Sequence, residues 1–314
     1  MPKVFIIILN WNGWSDTTEC LSSLNGVIYD NFEVILIDNG SKEKLPISPG
    51  LAERSRAGNY QFPKLRITQI FNDLNLGFAA GNNQGMKMAL QKGADYILLL
   101  NNDTTVESDF LNKLVETAEN NKEYGILGPV IYDYNEREKI QFAGGKINWS
   151  KTKSEHLILF NAPQPPLNLR GGAGELYFTD YITGCCLLIK RKVIEKIGLL
   201  SEDYFLYYED TDWNMQARNA GWLCGVVPQA KIYHKASKSS QEFSYPYIYY
   251  HSRNGLIFAS RFGSKFLTYL ISNWIFLKQV IKLAIGYRRD WARPVMKGVV
   301  DFWQGKKGKL EGYY

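Results

Sequence analysis

The stretch Asp95-Tyr-Ile-Leu-Leu-Leu-Asn-Asn-Asp103 joins a run of apolar residues to a polar end. Residues 97–100 are four consecutive apolar residues, which predict a fully buried strand. In open α/β sheets, ligands bind beyond the carboxyl ends of the strands, which is where Asp103 would lie. Its oxygens suit a hard cation such as Mg²⁺ or Mn²⁺, and those cations bind diphosphates. The alternative is a strand with an ordinary polar turn, because Asn and Asp are common turn residues.

Two further predicted strands also end in polar residues. Residues 3–9 (KVFIIIL) lead into Asn10-Trp-Asn-Gly13, and residues 32–37 (FEVILI) lead into Asp38-Asn-Gly-Ser41. Because the carboxyl ends of parallel strands lie along one edge of a sheet, we expect these two ends to converge with the 101–103 segment. Asp38 is placed to accept a hydrogen bond from a nucleotide base or a ribose hydroxyl. Its alternative role is to begin the Asp-Asn-Gly turn.

The predicted elements of the first 121 residues follow the order β-α-β-β-α-β-α with short connections. This order predicts an α/β fold with a doubly wound, mostly parallel sheet and flanking helices. Ser15 or Asp16 is the expected cap of the first helix. The predicted strands are 3–9, 32–37, 65–71 and 96–100. The first predicted helix ends at residue 24, and the next two span 82–92 and 110–121.

The second half has a less regular pattern. Residues 42–64 and 162–174 are rich in Pro and Gly and are expected to be surface loops. We expect a hairpin near 140–147 and 157–160, strands at 186–190, 222–227 and 230–233, and helices at 191–197 and 209–220.

The chain has 314 residues, 45% hydrophobic and 22% charged, which is typical of one large or two modest globular domains. A net charge of +6 would suit nucleic acid, an anionic membrane surface or phosphorylated ligands. The four cysteines lack the spacing of a zinc site, and the first residues lack the pattern of a signal peptide. We therefore expect a cytoplasmic protein with reduced thiols.

A glycine-rich segment, Asn75-Leu-Gly-Phe-Ala-Ala-Gly-Asn-Asn-Gln-Gly85, lies between a predicted strand and a predicted helix. Its spacing matches neither the G-x-G-x-x-G fingerprint nor the P-loop. Small residues there would allow a ligand to approach closely, with helix amides facing an anion. The alternative role of these glycines is close packing of the helix on the sheet.

Carboxylates cluster in Tyr207-Tyr-Glu-Asp-Thr-Asp-Trp213, and a histidine follows the predicted strand that ends at Tyr233. Acidic residues at a helix start complement the helix dipole, but clustered carboxylates also suit a general base and its supports. His234 by itself is more often structural than a ligand. Beside Asp103 it would complete a pair that leaves coordination positions open for a diphosphate.

Together these motifs resemble those of the family 2 inverting glycosyltransferases with a GT-A fold, in the rhamnosyltransferase-like branch. The resemblance covers residues 3 to about 260 and depends on the ordered set, since each motif alone is common. The motifs are Ile8-Leu-Asn-Trp-Asn12, Val34-Ile-Leu-Ile-Asp-Asn-Gly-Ser41, Asn75-Leu-Gly-Phe-Ala-Ala-Gly-Asn-Asn83, Leu98-Leu-Leu-Asn-Asn-Asp103, Thr183-Gly-Cys-Cys186, Phe205-Leu-Tyr-Tyr-Glu-Asp-Thr-Asp-Trp213, Ile232-Tyr-His234 and Tyr250-His-Ser-Arg-Asn254.

The resemblance implies a role for each matching residue. Asp103 stands at the last position of a D-x-D-type motif and is expected to bind Mg²⁺ or Mn²⁺ with His234. The first position is Asn101 instead of Asp, so one carboxylate is missing from the expected metal site. The residues implied for the donor are Asn10, Asn12, Asp38, Asn75, Gly77, Asn82, Asn101, Asn102 and Gly184.

The same resemblance implies that Asp210 is the catalytic base, with Glu209 and Asp212 as alternatives. Cys185 is expected beside the acceptor, and Trp213 is expected to stack on an acceptor sugar ring. Cys185 follows Thr183-Gly184 in its motif, and residues 209–213 follow the Tyr207-Tyr208 pair in theirs.

The expected activity is metal-dependent, inverting transfer of a sugar, with rhamnose from dTDP-rhamnose as the first candidate. The expected acceptor is a glycan or a polyprenyl-linked molecule in cell-surface polysaccharide synthesis. A UDP-hexose or UDP-galactofuranose donor is the alternative within the class. Alternatives of other classes are a nucleotidyltransferase and a nucleic-acid- or membrane-binding module. Dispersed basic residues and acidic strand ends argue against a nucleic-acid partner.

We expect a catalytic domain at residues 1–240, with a nucleotide-binding half (1–105) and an acceptor half (106–240), and a helical, aromatic and basic extension at 241–314. Residues 264–289 have apolar residues at helical spacing, interrupted by Lys and Arg. Their longest uncharged run is too short to span a bilayer. Either the helix lies on the inner face of the cell membrane, or it packs on the catalytic domain or on a homodimer partner.

Overall fold

The structure, a computed structural model, describes residues 1–43, 62–157, 176–235 and 244–312. The strands described are β1 (Val4–Asn10), β2 (Phe32–Asn39), β3 (Ile67–Asn72), β4 (Tyr96–Asn101), β5 (Thr104–Val106), β6 (Tyr124–Asp133), β7 (Ile140–Phe142), β8 (Gly145–Asn148), β9 (Lys153–His156), β10 (Tyr177–Thr179), β11 (Cys186–Lys190) and β12 (Leu223–His234). Ten of them form one sheet in the order β10-β12-β6-β11-β4-β1-β2-β3, with β5 paired to β12 and β7 to β6, while β8 and β9 form a separate pair.

The parallel part of the sheet places three polar strand ends side by side. β1 lies between β2 and β4 and is parallel to both, and β3 extends the sheet beyond β2. In this register Asn10 pairs with Asp38, and Leu9 pairs with Asn101. The strands are runs of consecutive buried residues, as is typical when both faces of a parallel sheet are covered. The predicted α/β fold is confirmed, and the polar ends share one edge.

The sheet becomes mixed next to this edge. β11 is antiparallel to both β4 and β6. β12 is one strand with an irregular register after Val227, whereas the sequence predicted two strands, at 222–227 and 230–233. The last residue of β12, His234, pairs with Thr104 of β5. This pairing brings His234 beside Asp103, although the two are far apart in sequence.

The helices described are α1 (Trp14–Leu24), α2 (Phe78–Gln91), α3 (Phe110–Asn120), α4 (Arg191–Ile197), α5 (Glu209–Asn219), α6 (Tyr245–Phe262), α7 (Lys265–Ala284) and α8 (Arg289–Trp303). Two predicted helix starts are wrong. α1 follows Gly13, so Ser15 and Asp16 lie in its first turn and do not cap it. α2 starts at Phe78, because Gly77 has a φ of 86° that lets the chain turn directly into the helix. Asn82 therefore lies inside α2.

The hairpin predicted near residues 140–147 and 157–160 is found over its described part: β8 pairs with β9, and Ala143 and Gly144 exchange backbone hydrogen bonds with Leu157. β7, at the start of the predicted range, pairs instead with β6. Register with β6 and contact with the separate β-pair depend on distant residues, which local alternation does not specify. Residues 44–61 and 158–175 lie outside the described residues, and they include most of the two predicted surface loops and residues 158–160 of the predicted hairpin.

The C-terminal residues form the helices that the sequence predicted, and these pack on one another, while α6 also contacts the main core. α6 and α8 share an apolar cluster formed by Ile248, Leu256, Val295, Val299 and Phe302. Phe258 of α6 belongs instead to the main core, where its ring stacks on Trp149 with centroids 5.6 Å apart. Within the described ranges, no helix combines the length and apolar character needed to cross a membrane.

Candidate active site

A hydrogen-bond network fastens the ends of β1 and β4 together. Oδ1 of Asn10 accepts bonds from Gly13 N (3.1 Å), Thr17 Oγ1 (2.9 Å) and Asn102 Nδ2 (3.2 Å). Asn102 Nδ2 also lies 2.9 Å from Thr17 Oγ1. Asn10 is fully buried. These two amides, which the sequence predicted to contact the donor, hold the edge in shape.

Ser41 organises the neighbouring β2 end, and sequence reasoning assigned it no role. Its Oγ accepts bonds from Asn10 Nδ2 (3.1 Å) and Asn12 N (2.8 Å), and its own N–H donates to Asp38 Oδ1 (3.1 Å). The signal was its place in the Asp-Asn-Gly-Ser turn. Asn12 is exposed with a φ of 55°, and Asp38 is buried. The structure brings these predicted donor residues together.

Asn39, also missed, holds the glycine-rich segment against the sheet edge. Its Nδ2 donates to Asn75 Oδ1 (3.0 Å) and Gly77 O (3.2 Å), while its Oδ1 accepts from Leu76 N (3.2 Å). A Cβ on Gly77 would lie 2.5 Å from the carbonyl oxygen of Phe205, so only glycine fits. The amide of Asn75 therefore supports a loop, and this loop contacts the segment that precedes α5.

Asn82 is a second amide of this region that bonds within the protein. It is buried inside α2, and its Nδ2 donates to Phe78 O (2.9 Å). The sequence placed Asn82 at the start of the helix, whereas the structure places it one turn inside α2. Its contact with the donor stays a prediction.

Asp103 and His234 form the predicted pair. The Asp103 side chain is buried, and its Oδ1 lies 3.3 Å from His234 Nε2. That oxygen has no hydrogen-bond partner among the described residues. His234 Nδ1 lies 2.9 Å from Gln141 Oε1, a contact that orients the ring and that the sequence did not reveal. Burial favours the neutral imidazole, but Cys185 and Asp103 raise the pKa of His234 well above its ordinary value.

The composition of this pair limits which cation it suits. The described residues contain no group of three or more His, Cys, Asp or Glu side chains that could hold a metal. Asn101 stands where a second carboxylate was expected. One carboxylate and one imidazole suit a cation that takes its other oxygens from a ligand's phosphates and from water.

The ends of β1, β2 and β4 form one edge of the sheet, which we call the strand-tip edge. Residues 183–185 connect this edge to α5. The carbonyl of Cys185 accepts a hydrogen bond from Asn101 N (2.9 Å). One residue earlier, Gly184 N donates to Asp210 Oδ2 (2.8 Å). A Cβ on Gly184 would lie 3.1 Å from the Phe78 ring. A single short segment thus holds the predicted metal end of β4 and the predicted base in one site.

The three carboxylates of α5 lie in different environments. Asp210 is half-buried, and its Oδ1 accepts from Thr211 N (2.6 Å). Glu209 is buried, and burial together with Asp210 raises its pKa well above 4.5. Asp212 is fully buried and bonded to Tyr204 (3.0 Å) and Arg261 (2.8 Å). Burial raises the pKa of Asp212 in spite of Arg261. Asp210 is the one of the three that is not buried.

The chain enters α5 through strained backbone. Tyr207 and Tyr208 have φ values of 67° and 77°, a region of backbone conformation that residues other than glycine rarely adopt. Asn254 of α6 donates to Leu206 O (2.9 Å) and Tyr207 O (3.0 Å). Arg253 in turn donates to Asn254 Oδ1 (2.9 Å). Asn254 lies in one of the matching sequence motifs, but the sequence did not indicate this role.

The predicted stacking of Trp213 on an acceptor sugar is wrong. Its side chain is 0% exposed, and its indole N–H donates to Gly198 O (2.9 Å). It packs in the core because it lies on the inward side of α5. Cys185 is buried beside His234, as its place in the 183–185 segment requires. Tyr207, three residues before Asp210, and Tyr247 of α6 are half-buried aromatic residues whose ring centroids lie 5.4 Å apart.

The family model described as "Glycosyl transferase family 2" matches residues 5–198 of this chain. This range includes the three strand ends, the glycine-rich segment and residues 183–185.

Three curated relatives are similar over much of the chain. A low-salt glycan biosynthesis hexosyltransferase, Agl10, of Haloferax volcanii is 26% identical over 99% of this chain and 94% of its own length. A dTDP-rhamnosyl transferase, RfbF, of Shigella flexneri is 25% identical over 70% and 67%. An N-acetylglucosaminyl-diphospho-decaprenol L-rhamnosyltransferase of Mycobacterium tuberculosis is 25% identical over 76% and 78%.

Two solved structures share the fold. The mannosyltransferase PcManGT of Pyrobaculum calidifontis, in complex with GDP-Man and Mn²⁺, has a TM-score of 0.56 and 14% identity over 98% of this chain and 88% of its own. GalNAc-T7 with UDP, GalNAc and Mn²⁺ has a TM-score of 0.61 and 18% identity over 81% of this chain. This chain spans 47% of the length of GalNAc-T7. The GT-A fold expected from the sequence is confirmed.

Proposed function

The chain belongs to glycosyl transferase family 2 and is a glycosyltransferase, and we propose that it transfers a sugar from a nucleotide-diphospho-sugar with inversion of configuration. The observation that carries this proposal is the bridge at residues 183–185, which is bonded to both Asn101 and Asp210. A donor diphosphate at Asp103 and an acceptor hydroxyl at Asp210 would then meet across one short segment. The proposed donor is dTDP-rhamnose and the transferred sugar is rhamnose, which two rhamnosyltransferases among the relatives support.

Asp210 is the proposed general base. Its carboxylate takes the proton of the acceptor hydroxyl, and the resulting oxygen forms a bond to the anomeric carbon from the face opposite the diphosphate. The bond between that carbon and the diphosphate oxygen breaks, and its electron pair leaves with the diphosphate. The bond from Gly184 N fixes the direction of the carboxylate. Its half-buried position leaves it accessible to an acceptor, unlike Asp212.

Asp103 and His234 are the proposed holders of a divalent cation. The fit rests on Asp103 Oδ1, a buried oxygen without a hydrogen-bond partner in the described ranges, 3.3 Å from His234 Nε2. A Mg²⁺ or Mn²⁺ ion bound there would offset the negative charge that grows on the departing diphosphate. Gln141 keeps the His234 ring in position for that role.

The proposed donor site lies along the strand-tip edge. Asp38 and the exposed Asn12 face the nucleotide, and Asn101 and Gly184 face the diphosphate and the sugar. Asn10, Asn39 and Asn102 maintain the shape of the edge through the bonds described above. We propose the aromatic pair Tyr207 and Tyr247, in place of Trp213, as the surface that receives an acceptor sugar.

The proposed acceptor is a glycan or a polyprenyl-linked saccharide. One relative, by its name, acts on a decaprenol-linked substrate. We also propose that residues 1–240 form the catalytic domain, with donor and acceptor halves divided near residue 105, and that residues 241–314 are an extension that supports it. The bonds from Asn254 to the segment before α5 support this division of roles.

A thermal-shift panel tests the proposal. The purified chain is heated with dTDP-rhamnose, UDP-galactose, UDP-galactofuranose and GDP-mannose, each with Mn²⁺ and with EDTA. We expect one donor to raise the melting temperature in Mn²⁺ and to lose that effect in EDTA. A UDP-sugar response would replace dTDP-rhamnose as the donor, and no response to any nucleotide-sugar would overturn the proposed donor site.

A further inference from the structure

Helix α7 buries polar side chains and leaves many of its apolar side chains exposed. Its buried residues are Thr268, Ser272 and Gln279, and Ile275 and Phe276 pack partly buried against the α6–α8 cluster. Its outward face, which we call the α7 outer face, consists of Phe266, Leu267, Leu270, Trp274, Leu277, Ile281 and the cap residue Ile285, all exposed. Their spacing of three and four residues places them along one side of the helix. Contiguous exposed apolar surface of this kind marks an interaction site.

Contacts on the opposite side hold α7 in this orientation. Ser272 Oγ accepts a hydrogen bond from Trp303 Nε1 of α8 (2.8 Å), and the Tyr269 and Phe302 rings lie 5.2 Å apart. Turning the apolar side inward would break these contacts. The described residues therefore leave the α7 outer face uncovered.

The charges around the α7 outer face are positive. From residue 263 to 300, Asp290 is the one acidic residue. Six basic residues of this segment make no ion pair with any described residue: Lys265, Lys278, Lys282, Arg288, Arg289 and Arg293. A second copy of the chain would bring equal positive charges together, whereas an anionic surface would be attracted.

We propose that the α7 outer face docks on the surface of an anionic phospholipid bilayer, with α7 lying in the membrane plane. Twenty residues of helix would lay about 30 Å of apolar surface among the lipid head groups and upper acyl chains. Trp274 and Tyr287 suit the boundary between lipid and water, and Lys278 and Lys282 can extend their amines to lipid phosphates. The docking would hold the enzyme where a lipid-linked acceptor resides, a consequence that rests on the proposed function.

Vesicle flotation of the full chain tests this docking without donor or acceptor. We expect the protein to float with vesicles of phosphatidylcholine and phosphatidylglycerol, and to bind weakly to phosphatidylcholine alone. Leu270→Ser with Ile281→Ser, at side chains 51% and 52% exposed, should abolish flotation. The matched control is Ile28→Ser with Leu74→Ser, at 58% and 69% exposed, which should float like the wild type. Lys278→Gln should weaken binding to anionic vesicles about fivefold.

Three results would overturn the proposal. The first is an absence of flotation for the wild type, and the second is unchanged flotation for the Leu270→Ser/Ile281→Ser variant. The third is a wild-type dimer that becomes monomeric in this variant, with no vesicle binding by either protein. Melting curves of the free variants establish that each is folded. Vesicle binding by a protein that fails to respond to any nucleotide-sugar would remove the proposed activity and leave the docking in place.

Discussion

The strand-tip edge and the start of α5 hold their acidic groups in different ways. At the edge, Asp103 follows a buried parallel strand, and the amides of Asn10 and Asn102 tie neighbouring strands together. At α5, Asp210 follows two tyrosines with positive φ, whose backbone is held by Asn254 from a distant helix. The strand-tip edge, the proposed donor side, is thus a product of sheet topology. The start of α5, the proposed acceptor side, is strained backbone that the C-terminal helices keep in place.

The first way to break this comparison is to remove the proposed base. Asp210→Asn keeps the size of the side chain and its bond from Gly184, but it cannot take a proton. We expect turnover to fall on the order of 10³–10⁴-fold, measured as release of nucleoside diphosphate in the presence of acceptor. Asp109→Asn, a partly exposed carboxylate that pairs with Lys113 at the start of α3, is the control and should keep its activity. Near wild-type turnover of Asp210→Asn would rule out this base.

The second prediction concerns the donor side. Asp103→Asn removes the one carboxylate of the proposed cation site, so turnover should fall about 10²–10³-fold. The stabilisation by donor and Mn²⁺ in a thermal scan should disappear as well. If the variant still gains the full Mn²⁺-dependent shift, the cation binds elsewhere.

The third prediction sharpens the contrast by loosening the acceptor side alone. Asn254→Ala leaves the carbonyls of Leu206 and Tyr207 without their donor, at a stability cost of about 1–3 kcal/mol. We expect kcat to fall about 10²-fold through misplacement of Asp210, with donor affinity unchanged. Asn273→Ala, at an exposed amide of α7, is the matched control. Equal losses of kcat and donor affinity in Asn254→Ala would mean general destabilisation.

The smallest expected effect belongs to Glu209. Because burial raises its pKa, this carboxyl keeps its proton above pH 4.5, and Glu209→Gln should turn over at close to the wild-type rate. The folded state binds more protons than the unfolded state above that pH, so wild-type stability falls as the pH rises. Glu209→Gln has no carboxyl at this position, so its stability does not fall in this way. The free energy of unfolding of Glu209→Gln should exceed that of the wild type by an amount that is absent in acid and grows toward neutral pH, as urea titrations at several pH values would measure.

The donor side was predictable because its signals are local. Apolar runs identify β1, β2 and β4, and the rule for parallel sheets then brings their polar ends together. What local patterns left out is which amides face a ligand. Asn10 is an example, because its saturation by Thr17 and Asn102 depends on contacts between strands.

The acceptor side was less predictable because its geometry depends on distant residues. Three carboxylates in one turn were candidates for the base, and Asp212 is removed from that set by Tyr204 and by Arg261 of α6. Trp213 was predicted to face an acceptor, but the direction in which α5 packs places it in the core. The restraint by Asn254 has no local signal at all.

The most direct test of the account is a comparison of donor affinity in two variants, measured by calorimetry with Mn²⁺ beside the turnover of each. The account predicts that Asp210→Asn binds donor as tightly as the wild type while turnover is lost, and that Asp103→Asn loses both. Loss of donor affinity in Asp210→Asn, or its retention in Asp103→Asn, would contradict the division of the site into a donor edge and an acceptor base.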